Sequence, residues 1–346
     1  MSSPGCCGDC PLMFPTDTVS LAAGPAITRR SAMAGTMAAL LAGCGATAGK
    51  AEALRVSVTG KGEGDNRLLF AAAGLAPDFP IAYSEFESGH LVVEAFNSGA
   101  LDFGGMSEIP PVFAAASTIQ TFRQIGVYHG DVNNQAVLVP RGSTIASLAD
   151  LKGKRVGYVR ATTTQYFLIK MLRSVGLSWT DIQPVAMTVA DGAAAFAHGA
   201  LDAWAIYGFP IQRAMATDGA RILRTALGFL SGNYIVTAHR DAIADPVRAD
   251  WIARYLRLTR KGYAWAAAHQ QEWAGIVAHE IGVPVDYVAD QFRRKSDVYE
   301  LRPVTPQVIA SQQEVADVFT AAGLIPRKVN VRSLWDPRFN PVIKEA

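Results

Sequence analysis

The stretch AFNSGALDFGGMSEIPP runs from Ala95 to Pro111, and AFAHGALDAWAIYGFPI runs from Ala195 to Ile211. The two copies share one plan. Gly99 and Gly199 end a helix, Asp102 and Asp202 begin a strand, and Pro110-Pro111 and Pro210 open the next helix, where a missing N–H costs little. One reading is a common strand–turn–helix element that occurs twice by chance. The sharper reading is two topologically similar lobes. Ligands of open α/β sheets bind outside the carboxyl ends of the strands. On the second reading, MSEIP (106–110) and YGFP (207–210) are therefore the ligand-contacting tips.

The surrounding sequence alternates accordingly. Apolar runs of strand length begin at 54, 81, 101, 123, 135, 155, 182, 201, 221 and 234. Between them, HLVVEAFNSG, TTQYFLIKMLRSVG and AAAFAHG have helical spacing and end in glycine, a common helix stop. Such alternation predicts parallel sheets covered by helices on both faces. From about Pro246 onward the pattern is helical throughout, with prolines near several first turns. No low-complexity linker separates two domains, so short crossovers must join the lobes. QAVLVP (135–140) and NYIVTAH (233–239) are the candidates. The resulting division is 54–137 with 236–346 as one lobe and 138–235 as the other.

The 346 residues are 50% hydrophobic and 18% charged, with a net charge of +2. This is a globular composition of two-domain length, with no footprint for nucleic acid. Residues 1–53 differ from the rest. Arg29-Arg30 precedes a short apolar stretch, Ser31 to Ala42, too short to span a bilayer. The charged start, apolar middle and small-residue end read as an export signal of twin-arginine type. LAGC, ending at Cys44, resembles a lipobox, whose cysteine is acylated. AEA, ending at Ala53, offers a competing soluble cleavage. All four cysteines (Cys6, Cys7, Cys10 and Cys44) lie in this segment. The body therefore has no disulfide, thiolate nucleophile or cysteine metal site. No H-E-x-x-H face or other metal signature is present, and neither a metal nor a cofactor is expected.

Several ordered motifs over roughly residues 54–336 resemble the substrate-binding proteins of ABC importers for sulfonates, nitrate and taurine. They are ESGHLVVEAFNSGALDFGGMSEIPP, LVPRGSTIASLADLKGKRVGYV, ATTTQYFLIKMLRSVGL, GALDAWAIYGFP and RPVTPQVIASQQEVADVFTAAGLIP. The resemblance implies an α/β fold of the type II periplasmic-binding-protein kind, with two lobes around a cleft and a helical C-terminal region. It implies an exported monomer, periplasmic or at the cell surface, that hands a small organic anion to permease and ATPase subunits. An aliphatic sulfonate is the first expectation; nitrate, taurine or a thiamine-type pyrimidine are the alternatives. The sequence departs from the family at Glu108, where Asp is usual, and at Tyr207-Gly208, where Trp-Asp is usual. KGEGDN (61–66) and HGDVNN (129–134) match no familiar pattern, yet they fall where the ligand should be.

An anion needs converging donors, and helix N-termini supply N–H groups and a favourable dipole. Two helix starts qualify: Ser88, Gly89 and His90 open one, and Thr162, Thr163, Thr164 and Gln165 open the other. Ordinary N-capping is the plainer role for the threonines. Ser107 and Glu108 lie on the first loop tip, where Glu108 could accept from a ligand ammonium or cap the next helix. Asn233 lies at the second crossover. Trp204, Tyr207, Phe209, Phe86 and Tyr234 are candidates for apolar walls, and strand alternation turns Tyr207 rather than Trp204 toward the tip. No catalytic residue is expected. A desulfinase of the same fold uses a cysteine, which this body lacks.

Overall fold

A computed structural model describes residues 52–117 and 120–345. The chain first lays down β1 (Leu54–Thr59), α1 (Asn66–Ala72), β2 (Ile81–Phe86), α2 (Gly89–Asn97), β3 (Phe103–Ser107), α3 (Pro110–Ala116) and β4 (Phe122–His129). It then crosses to a second sheet through β5 (Gln135–Val139), β6 (Arg155–Tyr158), α4 (Thr163–Ser174), β7 (Gln183–Ala186), α5 (Val189–Ala197), β8 (Ala203–Tyr207), α6 (Pro210–Asp218) and β9 (Arg221–Thr225). It returns in β10 (Asn233–His239) and continues through α7 (Arg240–Ala244), α8 (Pro246–Ala268), α9 (Gln270–Ile281), α10 (Val285–Arg293), β11 (Glu300–Arg302), α11 (Pro306–Ala321) and α12 (Asn340–Lys344). The first sheet has the order β11-β4-β10-β3-β1-β2 and the second β7-β6-β8-β5-β9. Sheet membership changes between His129 and Gln135 and between Thr225 and Asn233, a few residues before the expected boundaries.

The sheets are mixed, which corrects the expectation of parallel ones. β1 pairs in parallel with β2 and β3, and β6 with β7 and β8. β10 runs antiparallel to β3 and β4, and β5 antiparallel to β8 and β9. The reason is topological. A strand reached directly from the other lobe enters its sheet at the carboxyl ends of the parallel strands, so it runs the opposite way. The tail is not wholly helical either, because the short β11 pairs antiparallel with β4.

The sequence repeat has a structural answer. In each copy the helix closes with paired bonds to its last turn: Gly99 N–H to Phe96 O and Ala100 N–H to Ala95 O, then Gly199 to Phe196 and Ala200 to Ala195. Both glycines have φ of 73°, the left-handed cap such a helix end requires. The aspartate then reaches across to the first strand. Asp102 accepts from the backbone N–H, Nε and Nη2 of Arg55, and Asp202 accepts the same three donors from Arg155. The two arginines also donate to the carbonyls of Gly99 and Gly199. GALD is thus a fastener between neighbouring parallel strands, used once per lobe at the end away from the loop tips.

The two crossings run side by side. Gly130 N–H donates to Gly232 O at 3.0 Å. A Cβ on Gly232, whose φ is 80°, would lie 2.8 Å from the Gly130 carbonyl oxygen. The buried Asp131 holds the first crossing to the C-terminal segment, accepting from the Ser296 N–H and hydroxyl and from the Gln291 amide. The joint is therefore narrow, hydrogen-bonded and braced from outside.

Candidate functional site

Between the lobes lies a cavity of about 900 Å³. The lobes meet around it. The Tyr207 hydroxyl at the end of β8 donates to the Glu87 carbonyl of the first lobe at 3.3 Å. Phe209 packs onto the first lobe's core, and α6 packs on α10. On another side, Lys170 of α4 pairs with Glu314 of α11 at 3.1 Å, and the Tyr166 and Phe319 rings lie 5.7 Å apart.

The second lobe contributes uncommitted polar groups. Ala161, at φ 56°, is the one non-glycine residue in the left-handed region among those described. Such a residue costs about 1–3 kcal/mol and tends to mark functional turns. It lies immediately before the N-cap of α4. Around it, Thr162 caps Thr164 N–H and donates to Val159 O, Thr164 exchanges bonds with Val159, and the Gln165 carbonyl oxygen accepts from Ala161 N–H. These three side chains build the turn. Thr163 does not: its residue is 6% exposed, lines the cavity, and its hydroxyl has no partner among the described residues. The first-turn N–H groups of Thr163 and Gln165 likewise find no acceptor among the described residues. Gln212 of α6 repeats the pattern, 7% exposed, lining the cavity, its amide without a partner among the described residues.

The first lobe contributes rings. Tyr128, Tyr263, Tyr299 and Tyr234 form a continuous wall, with centroids 5.7 Å (Tyr128–Tyr263), 5.7 Å (Tyr263–Tyr299) and 6.0 Å (Tyr234–Tyr299) apart. Burial holds their hydroxyls above the ordinary phenol range, so they stay neutral. The hydroxyl of Tyr234 donates to Asp131 O, which leaves it to accept from the Gln135 amide N–H. Phe86 and Phe103 extend the apolar surface.

Charge at the cavity is partly spent. Glu63 is paired with Lys295, which opposes the upward push of burial on its carboxyl, and Glu85 is paired with Arg67. Lys61 and Arg213 line the cavity from opposite lobes, exposed and without a carboxylate partner among the described residues.

Of the candidates named from sequence, Gly89, Ser107, Thr162, Thr163 and Tyr207 line the cavity. So do Phe86, Trp204, Phe209 and Tyr234, although Trp204 is 1% exposed and packs in the second lobe's core. Gly89 is needed for close packing, since a Cβ there would come within 2.9 Å of Pro110 and 3.0 Å of Met106. Ser88, His90, Glu108, Thr164, Gln165 and Asn233 do not line the cavity. Ser88 is buried, and its hydroxyl is bonded to His90 Nδ1 at 2.9 Å. Thr164 and Gln165 are consumed by the turn. Glu108 neither faces the cavity nor caps α3. It accepts from the Ser231 and Ser311 hydroxyls at 2.7 and 3.1 Å, and burial raises its pKa to about 7. Asn233 is tied to His129 and Ser311 beside it. Sequence reading missed Gln212, Arg213, Tyr263 and Tyr299. It flagged KGEGDN without assigning it, and Lys61, Gly62, Glu63, Gly64 and Asn66 from that stretch line the cavity. HGDVNN supplies the first crossing, with Asn134 on the cavity wall.

Residues 69–273 match the family described as NMT1/THI5 like. The chain belongs to this family. This NMT1/THI5-like chain is 31% identical over 263 residues to an Escherichia coli (strain K12) protein named as an aliphatic sulfonates-binding protein, covering 75% of this chain and 81% of the relative. The crystal structure of the periplasmic aliphatic sulphonate binding protein SsuA from Escherichia coli superimposes with TM-score 0.71 at 29% identity, over 83% of this chain and 93% of that one. The alkanesulfonate-binding protein SsuA from Xanthomonas axonopodis pv. citri, bound to MOPS, gives TM-score 0.73 at 27% identity, over 84% and 99%. The family therefore has the periplasmic-binding-protein fold here, two α/β lobes around a cleft.

Proposed function

We propose that this chain is the extracytoplasmic solute-binding component of an ABC importer and that it holds an organosulfonate between its lobes. One observation carries the reading. Thr163, 6% exposed and on the wall of an interlobe cavity, carries a hydroxyl and a first-turn N–H that have no partner among the described residues. A ligand oxyanion is a partner that suits both the hydroxyl and N–H donors and the helix dipole. Gln212 adds an amide, and Lys61 and Arg213 supply positive potential at the walls. The sulfonate named for the relatives fits this donor set. The pyrimidine alternative would draw on carboxylates instead; of those on the wall, Glu63 and Glu85 are held by Lys295 and Arg67, while Glu87 has no ion-pair partner among the described residues. Function is binding coupled to closure: the lobes rock about the paired crossings at Gly130 and Gly232, and ligand favours the closed form by its differential affinity. No enzymatic step is assigned, since residues 54–346 hold no cysteine.

Export by the Arg29-Arg30 signal and acylation at Cys44 belong to the same proposal. Both lie outside the described residues. Cys44→Ala should move the protein from the membrane to the soluble fraction, and an unchanged distribution removes the anchor. The main test is thermal unfolding of residues 54–346 with alkanesulfonates, taurine, sulfate, nitrate and pyrimidines. Ligand at a hundredfold excess over Kd adds about 2.7 kcal/mol, a shift of a few degrees. A shift with nitrate or a pyrimidine and none with any sulfonate refutes the assignment.

A further inference from the structure

We infer that the preferred cargo is a sulfonate carried on an aromatic ring system rather than a short alkyl chain. This rests on the organosulfonate reading above and narrows it. The cavity of about 900 Å³ lies near the top of the range of about 300–1,000 Å³ that encloses drug-sized molecules. A two-carbon sulfonate would leave most of it to water. The rings are concentrated on one wall, where Ser57 Oγ and Tyr128 Oη also lie buried without a partner among the described residues. The second lobe presents the unpaired donors of Thr163 and Gln212. The first presents the run of tyrosine rings Tyr128–Tyr263–Tyr299–Tyr234.

These rings are not closed off by packing. Tyr263 and Tyr299 are only partly buried while lining the cavity, and the Tyr263 hydroxyl has no hydrogen-bond partner among the described residues. Aromatic rings pair best with other rings, offset-stacked or edge-on, and gain beyond the area they bury. A ligand with its oxyanion at α4 and a planar body against this wall would use both surfaces at once. An alkyl chain would use the area but not the ring geometry.

The test is calorimetric titration of the exported chain with ethanesulfonate, hexane-1-sulfonate and naphthalene-1-sulfonate, repeated with Tyr263→Leu. That substitution keeps an apolar side chain on α8 and removes the ring. In the native protein, naphthalene-1-sulfonate should bind about a hundredfold more tightly than ethanesulfonate, on the area scale of apolar burial. It should bind roughly two- to tenfold more tightly than hexane-1-sulfonate, the gain from ring pairing. Tyr263→Leu should erase the second preference, so that the two ligands bind within about twofold of each other, and a circular-dichroism melting curve of the ligand-free variant shows that it is folded. The inference is overturned if ethanesulfonate matches the naphthalene compound, or if the ring preference survives in Tyr263→Leu. Should hexane-1-sulfonate bind and naphthalene-1-sulfonate be excluded, only this inference falls. If none of the three binds, the organosulfonate reading falls and takes this one with it.

Discussion

Replacing Asp102 and Asp202 by alanine removes the same carboxylate from the same motif in two lobes, so each serves as the other's control. The contacts match, but the surroundings do not. The Asp102 side chain is 1% exposed and also takes a bond from Arg248 Nη1 at 3.0 Å; the Asp202 side chain is 32% exposed and has no such third group. Removing one partner of a buried pair costs about 3–5 kcal/mol because the other charge is left stranded. Arg55 is 41% exposed and can be partly rehydrated, which places Asp102→Ala near the lower bound, about 3 kcal/mol. Asp202→Ala should cost about 1 kcal/mol or less, as exposed pairs do. Urea unfolding followed by circular dichroism measures both, provided the m-value is unchanged. The pH dependence has a defined sign. Burial alone would raise the Asp102 pKa, but the bonds from Arg55 and the charge of Arg248 outweigh it, and the carboxyl titrates below its ordinary range. Its contribution is then complete above about pH 4 and drains away as pH falls through the lower folded value. The Asp102→Ala penalty should therefore be flat from about pH 5 to 8 and shrink in acid. Equal penalties at the two sites, within about 0.5 kcal/mol, would refute the burial argument, because additive independent sites agree only to that tolerance.

Three further outcomes are expected. Glu108 is protonated in the fold up to a pKa of about 7, so its raised value makes stability fall as pH rises from its ordinary 4.5 toward 7. Glu108→Gln should remove that fall, gaining on the order of 3 kcal/mol above pH 7, and parallel melting curves across that range would discount the buried acid. Gly232→Ala forces a Cβ to 2.8 Å from the Gly130 oxygen at a φ of 80°. It should cost about 1–3 kcal/mol in thermal unfolding, and a neutral result would mean the two crossings separate freely. Tyr207→Phe deletes the hydroxyl that reaches Glu87 across the cavity. It should weaken ligand binding roughly two- to tenfold by loosening closure, with a larger ligand-free radius in X-ray scattering; unchanged affinity would show that this contact does not bias closure.

Strand positions were legible because period and punctuation are local. Each apolar run ends in glycine, proline or a polar cluster, and all of β1 to β10 fall within a few residues of the expected runs. Strand direction was not legible, because it depends on which end of a sheet the crossing chain enters. β11 was hidden because three residues between helices carry no period. Within the cavity, the loop tips and the α4 start could be anticipated from motif position. Tyr263 could not, since its place on the wall depends on how α8 packs against the first sheet. Glu108 misled for a related reason. It follows a cavity-lining serine, but its side chain turns to the far side of the loop, where Ser231 and Ser311 hold it.

The repeat that opened the sequence also separates two kinds of perturbation. Asp102 and Ser107 bracket a five-residue strand, and at about 3.3 Å per residue that puts roughly 16 Å between them. The fastener is at one end of β3 and the cavity at the other. The same holds for Asp202 and Tyr207 about β8. Sites so far apart without shared partners act additively. Losing the Asp202 fastener should therefore lower the melting temperature of the free and ligand-bound protein alike, leaving the ligand-induced shift intact. Losing Thr163 should do the reverse, since its hydroxyl holds nothing among the described residues. Thr163→Val should keep the ligand-free stability and shrink the shift that sulfonate produces. If Asp202→Ala weakened binding as much as Thr163→Val, the two ends of the motif would be energetically coupled and the division of labour along the strand would be wrong.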